Sequence, residues 1–145
     1  MPTIWTIGYE RLLPAELVAE LEAAGVERVI DVRYRPQSRR PGMSKTRLGE
    51  RLGDHRIVYE HRRALGTPAD LRWLFKNNRV DEGRAAYRDH VEANAAAELD
   101  ALAAELDAAP RTALLCLEAD PAVCHRRVLV EALRQRRSDL EVVDL

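Results

Sequence analysis

Short apolar runs alternating with helix-periodic segments constrain the fold of this chain more than any other feature. The runs are Thr3–Gly8, Arg28–Arg33, Arg56–Glu60, Thr112–Glu118 and Leu140–Asp144. Several are continuous and rich in Val, Ile and Leu, the pattern of parallel strands covered on both faces. Pro14 opens the first helical segment, which puts Leu17, Val18, Leu21 and Ala24 on one face and stops near Gly25. Ser44 is placed to cap a short helix carrying Leu48 and Leu52, closed by Gly53. Pro68 opens another, with Leu71, Leu74 and Phe75. A long Ala-rich helix is predicted over Arg84–Ala108, with Tyr87, Val91, Leu99, Leu102 and Leu106 turned inward. The last helix follows Asp120 and Pro121. This alternation predicts an α/β protein: a three-layer α/β/α Rossmann-like domain with a mainly parallel sheet of about five strands. With 145 residues, the chain reads as one domain, 1–145.

Right-handed crossovers would bring the strand ends at Gly8, Arg33, Glu60 and Glu118 to one edge. Open parallel sheets bind ligands at that edge, beside the amino ends of the following helices. The densest chemistry falls there, in the run from Leu115 to Arg127, which contains Glu118, Asp120, Cys124, His125 and Arg126. Asp120 is a good helix cap and Pro121 a good first helical residue, which places Cys124 in or just past the first turn. A helix amino end lowers a thiol pKa, so Cys124 is a candidate nucleophile; the alternative is a small packing residue. Cys116, mid-strand, reads as core. His125 is a candidate proton carrier or anion donor, against the alternative of a histidine bonded to a backbone carbonyl. Arg126 suits phosphate or carboxylate recognition.

A second cluster runs from Asp31 to Arg40. Asp31 and Arg33 are two apart on one face at the end of a buried strand, where charge is costly unless paired or used. A plain Asp–Arg ion pair satisfies that requirement as well as a catalytic role for Asp31 does. Ser38, Arg39 and Arg40 follow in a loop able to wrap an anion, and Gly8 and Tyr9 end the first strand at the same edge. The candidate catalytic residues are therefore Asp31, Glu118, Cys124 and His125. The candidate ligand-binding residues are Gly8, Tyr9, Arg33, Ser38, Arg39 and Arg126.

Charge is uneven. The net charge is −1, yet Arg28–Arg63 holds eleven Lys and Arg against four acids, a local +7. Residues 91–109 carry five acids and no base. One part of the surface can attract anions, although Arg replaces Lys throughout, 21 to 2, which is also a plain compositional habit.

Several chemistries lack their motifs. There is no Gly-rich dinucleotide fingerprint, no phosphate-binding loop and no Gly-x-Ser-x-Gly elbow. No arginine stands six residues after either cysteine, as thiol phosphatases require. There is no Cys-x-x-Cys or His-Glu-x-x-His, so no metal is expected; a site made from His61, Cys124 and His125 is a minor alternative. Two cysteines make no disulfide framework, and no export leader or membrane span is visible, so a reduced, cytoplasmic setting is expected.

Thr6-Ile7-Gly8-Tyr9, Asp31-Val32-Arg33 with Pro36 and Ser38-Arg39-Arg40, and Cys116-Leu117-Glu118 with Cys124-His125-Arg126 occur in a fixed order. Together they resemble the domain of unknown function 488 family across nearly the whole chain. Tyr59 with His61, Leu65-Gly66, and Gly83 with Tyr87 resemble it too. This chain has Tyr9-Glu10 where the family often has His-Ser, and Gly66-Thr67 where it often has paired glycines. The resemblance implies a Rossmann-like domain whose motif residues gather at one edge, and it brings no activity with it.

The functional expectation is an enzyme acting on a phosphate-bearing or nucleic-acid-derived substrate, with Arg33, Arg39 and Arg126 holding the anion. The alternatives are a non-catalytic nucleotide or nucleic-acid binding module, with Tyr34 and Tyr59 stacking, and a partner-binding protein. The partner is an anionic small molecule or a nucleic acid, not a membrane. Cofactor and oligomeric state are left open.

Overall fold

The five strands of the computed structural model, which describes residues 2–108 and 110–145, all run in the same direction. Their bounds are β1 Thr3–Gly8, β2 Arg28–Asp31, β3 Val58–His61, β4 Thr112–Cys116 and β5 Glu141–Asp144. The helices are α1 Pro14–Ala23, α2 Lys45–Asp54, α3 Ala69–Lys76, α4 Val80–Asn94, α5 Ala96–Glu105 and α6 His125–Arg136. Single 3-10 turns cover Arg63–Leu65 and Pro121–Val123. The sheet order is β3-β2-β4-β1-β5, so the mainly parallel sheet expected from sequence is entirely parallel. β4 is inserted between β2 and β1, pairing Leu115 with Asp31 on one side and Cys116 with Gly8 on the other.

Two cores follow from the period-2 alternation of the central strands. Trp5, Ile7, Val29, Ala113 and Leu115 pack under Leu17, Val18 and Leu21 of α1 and Leu48 and Leu52 of α2. Ile4, Ile30, Leu114 and Cys116 face the opposite layer, formed by Tyr87 and Val91 of α4, Leu99 and Leu102 of α5, and Val128, Leu129 and Leu133 of α6. The connections after β1 and β2 step one way and carry their helices on one face. Those after β3 and β4 step back and carry theirs on the other. Right-handed crossovers impose that relation. It also fixes where a crevice opens: beyond the carboxyl end of β4, whose two neighbours send their chains to the opposite face.

The long helix expected over Arg84–Ala108 is two helices that meet at Ala95, whose backbone leaves the helical region (φ −135°, ψ 19°). The Asn94 side chain donates to His90 O at 2.9 Å and competes with the helical backbone at that point. Its first half starts earlier, at Val80, because Gly83 lets it approach α3: a Cβ there would lie 3.1 Å from the Phe75 ring. The last helix also differs. Asp120 caps only the short turn, accepting from Ala122 N at 2.9 Å, and α6 begins at His125. Ser44 occupies the α2 cap position, but its hydroxyl bonds Ser38 instead, accepting from Ser38 N at 2.9 Å.

Candidate functional site

Three strand ends build the cleft. β1 runs into Tyr9, β2 into Arg33, and β4 into Leu117 and Glu118. Cys124 and His125 at the start of α6 close one side, and Thr67, Arg72 and Phe75 close another. Tyr34, Arg35 and Gln37 lie along the rim. The cleft measures about 490 Å³ when the open solvent at its mouth is counted with it.

Cys124 is the N-cap of α6, not a residue of its first turn, and its sulfur accepts from Arg126 N at 3.5 Å. His125 follows. Its Nε2 lies 2.8 Å from Val32 O and donates to it, so Nδ1 keeps a lone pair, facing Cys124 Sγ at 3.7 Å. Burial pushes the imidazole pKa down to about 4, and Arg126 and Arg72 act in the same direction against the Val32 bond. The ring is neutral at physiological pH.

Arg126 is fully buried. Its guanidinium donates to Thr6 Oγ1 at 3.2 Å, Cys116 Sγ at 2.8 Å, Ala119 O at 3.1 Å and the carbonyl of Glu118. It has no carboxylate within ion-pair reach among the described residues, and burial lowers its pKa. It ties the β4–α6 turn to β1. Gly8 belongs to the same knot, because a Cβ there would run into the Glu118 carbonyl.

Arg33 is held on the other face. It meets Asp31 through Nε at 2.9 Å and Nη2 at 2.7 Å, Tyr9 Oη at 3.2 Å and Met43 O at 2.7 Å. Burial opposes its charge, but the Asp31 carboxylate more than offsets that and holds the guanidinium firmly ionised. Tyr59 Oη donates to Asp31 at 2.5 Å. Burial, reinforced by Asp31, raises the phenol pKa. Asp31 and Arg33 thus form the internal ion pair, and Arg33 still borders the cleft.

The structure gathers Tyr9, Arg33, Glu118, Cys124 and His125 around one cleft, with Gly8, Asp31 and Arg126 directly behind them. Ser38 and Arg39 are not among its lining residues. Ser38 accepts from Arg40 N at 3.1 Å, and Arg39 is exposed. The residues that sequence reasoning passed over are Arg35, Arg72 and Thr67. Neither arginine has an acidic partner among the described residues. Thr67 is 4% exposed, and its hydroxyl is one of two buried side-chain polar atoms without a hydrogen-bond partner among the described residues; the other belongs to Arg28.

Cys116 and Cys124 meet sulfur to sulfur, with Cα atoms 7.8 Å apart. That separation exceeds the roughly 4.4–6.8 Å of ordinary disulfides. The donor atoms of Cys116, Glu118 and Cys124 lie within 4.8 Å of one another. With both thiols reduced, this set is of the kind a zinc-class ion accepts. His61 is elsewhere, 2.7 Å from Arg33 O.

A parallel three-layer α/β domain with a crevice at its strand-reversal point defines the class. Within that class, the chain belongs to the family described as Domain of unknown function DUF488, whose profile matches residues 14–133. No curated protein matches the chain significantly. No solved structure does either. No helix among the described residues is long and apolar enough to cross a membrane.

Proposed function

We propose that the protein is an enzyme acting on a phosphate-bearing or nucleic-acid-derived substrate held at the carboxyl edge of the sheet. One observation carries the reading: the Thr67 hydroxyl, buried and without a hydrogen-bond partner among the described residues, stands in a cleft beside two arginines, Arg35 and Arg72, that have no acidic partner among those residues either. A buried polar group without a partner is costly, and a ligand oxygen supplies the missing bond. Arg33 and Arg126, whose donors are engaged internally, shape the walls; Arg33 is neutralised by Asp31, and Arg126, with no carboxylate in ion-pair reach among the described residues, adds positive potential. Arg35 and Arg72 take the anion.

Glu118 borders the same space and serves as the acid or base. Where covalent chemistry occurs it requires both thiols reduced; Cys124 is then the nucleophile and His125 Nδ1 takes its proton, since Nε2 is fixed by Val32. Asp31 acts through Arg33. A non-catalytic nucleotide-binding role is the second reading, favoured by the contact between the two cysteine sulfurs, which leaves neither thiol free.

The test is a thermal-shift screen of wild type, Arg72→Ala and Glu118→Gln against inorganic phosphate, nucleoside mono- and diphosphates and short oligonucleotides, followed by turnover assays on any stabilising compound. The enzyme reading expects a ligand that raises Tm for wild type and not for Arg72→Ala. It also expects Glu118→Gln to bind that ligand, to lose turnover and to keep its own Tm. Turnover that survives Glu118→Gln removes the acid–base role. No shift with any phosphate compound removes the anion site.

A further inference from the structure

The cleft does not end at Thr67. A second groove shares Tyr34, Arg35, Thr67 and Arg72 with it and continues along α3 past Trp73 and Lys76. No acidic side chain lines this groove. Arg35, Arg72 and Lys76 all lack an acidic partner among the described residues. Trp73 is 52% exposed, the only large aromatic side chain so placed among the described residues. Arg63 lies over the Tyr34 ring, its guanidinium carbon 4.2 Å from the centroid, and also has no acidic partner among the described residues. Cations that track a path, with aromatic faces between them, are what a nucleic-acid strand requires: the cations meet successive phosphates and the rings stack bases. A single small anion uses the cleft alone and does not reach Lys76 or Trp73, whose ring has the Arg79 guanidinium carbon 5.8 Å from its centroid.

We infer that the groove binds a single-stranded nucleic acid, threading at least two nucleotides from the cleft over Trp73 to Lys76. This rests on the phosphate reading of the cleft and extends it from a monomer to a chain. A duplex is excluded by the same geometry, because stacking on Trp73 needs an unpaired base. Nothing in the groove chooses between ribose and deoxyribose.

The experiment is a fluorescence-anisotropy titration of the 145-residue chain with labelled single-stranded RNA and DNA decamers. The competitors are mononucleotides, inorganic phosphate, a blunt duplex and an acidic phosphopeptide, at two salt concentrations. The single strands are expected to bind more tightly than mononucleotide or duplex, with affinity falling as salt rises. Trp73→Ala should weaken strand binding about tenfold, as for loss of one stacked base. Trp73→Phe should restore most of it. Lys76→Ala should reduce the salt dependence by about one phosphate contact. Both positions are exposed on α3, so Tm should not change. RNA against DNA decides the sugar.

Mononucleotides that bind while strands gain nothing, or strand affinity untouched by Trp73→Ala, would overturn the groove and leave the phosphate cleft standing. Equal affinity for the duplex, or preference for the phosphopeptide, would overturn it in favour of that partner. Failure of strands, mononucleotides and phosphate together would sink both readings.

Discussion

A buried hydroxyl with no partner costs roughly 1–3 kcal/mol relative to a satisfied one. Thr67 carries that cost. The isosteric change Thr67→Val removes the unsatisfied group without leaving a cavity. The expected outcome is a Tm equal to or above wild type, up to about 1 kcal/mol of added stability, with loss of phosphate-dependent stabilisation. A fall in stability would mean that the hydroxyl has a structural partner, most simply a water. Thr67 also stands where the family resemblance leads one to expect a second glycine, so the hydroxyl distinguishes this chain. Sequence alone could not select it. A threonine after Leu-Gly has no special signature until the chain folds and leaves its oxygen facing a cleft. The same holds for Arg72, one helical arginine among many. Cys124, His125 and Glu118 were legible because they cluster within eight residues at a strand end.

Between elements, the acidic α5 is not the bare surface that its composition suggests. Glu105 reaches across to Arg62 after β3 at 2.9 Å and to Arg28 of β2 at 2.9 Å. The bond from Arg62 is the main cause of a carboxyl pKa below the usual range, reinforced by Arg28 and opposed by burial. A carboxyl with a depressed folded-state pKa stabilises the fold above its unfolded pKa. That contribution disappears as pH falls through the lower, folded value. Urea denaturation should therefore show wild type and Glu105→Gln converging at acidic pH and diverging towards neutrality, with the variant weaker. The gap should be small, under about 1 kcal/mol, because the carboxylate is part-exposed and screened. A gap that grows on acidification would contradict this. Element type and order were largely readable from apolar spacing. Element ends were not: Asn94 breaks the Ala-rich helix through a local side-chain bond, and Cys124 takes over the cap that Asp120-Pro121 advertised. Such competition between neighbouring caps is decided by tertiary packing.

On the scale of the whole molecule, the basic stretch from Arg28 to Arg63 divides by structure. Arg28, Arg33 and Arg62 are consumed by ion pairs, and Arg40 clamps carbonyls of the β1–α1 loop. The remainder leaves a surplus of positive charge on a molecule whose net charge is only −1. The excess was visible in composition, but its sorting into structural and free cations was not. Strand order was equally hidden, because alternation of helix and strand does not say where β4 goes. Its position has a kinetic consequence. β1 is made first, yet both of its neighbours, β4 and β5, come from the last quarter of the chain. Until Thr112 emerges, β2 and β3 can pair with each other but nothing joins them to β1. Late, non-local pairing of this kind slows folding and exposes unpaired strand edges. A fragment ending at Glu105 should show no cooperative thermal transition by circular dichroism, whereas a sharp transition would show that the helices hold the early strands unaided. A polypeptide stalled on the ribosome short of β4 is then a chaperone client rather than a nascent domain, and its folding is a single event that waits for β4 and β5.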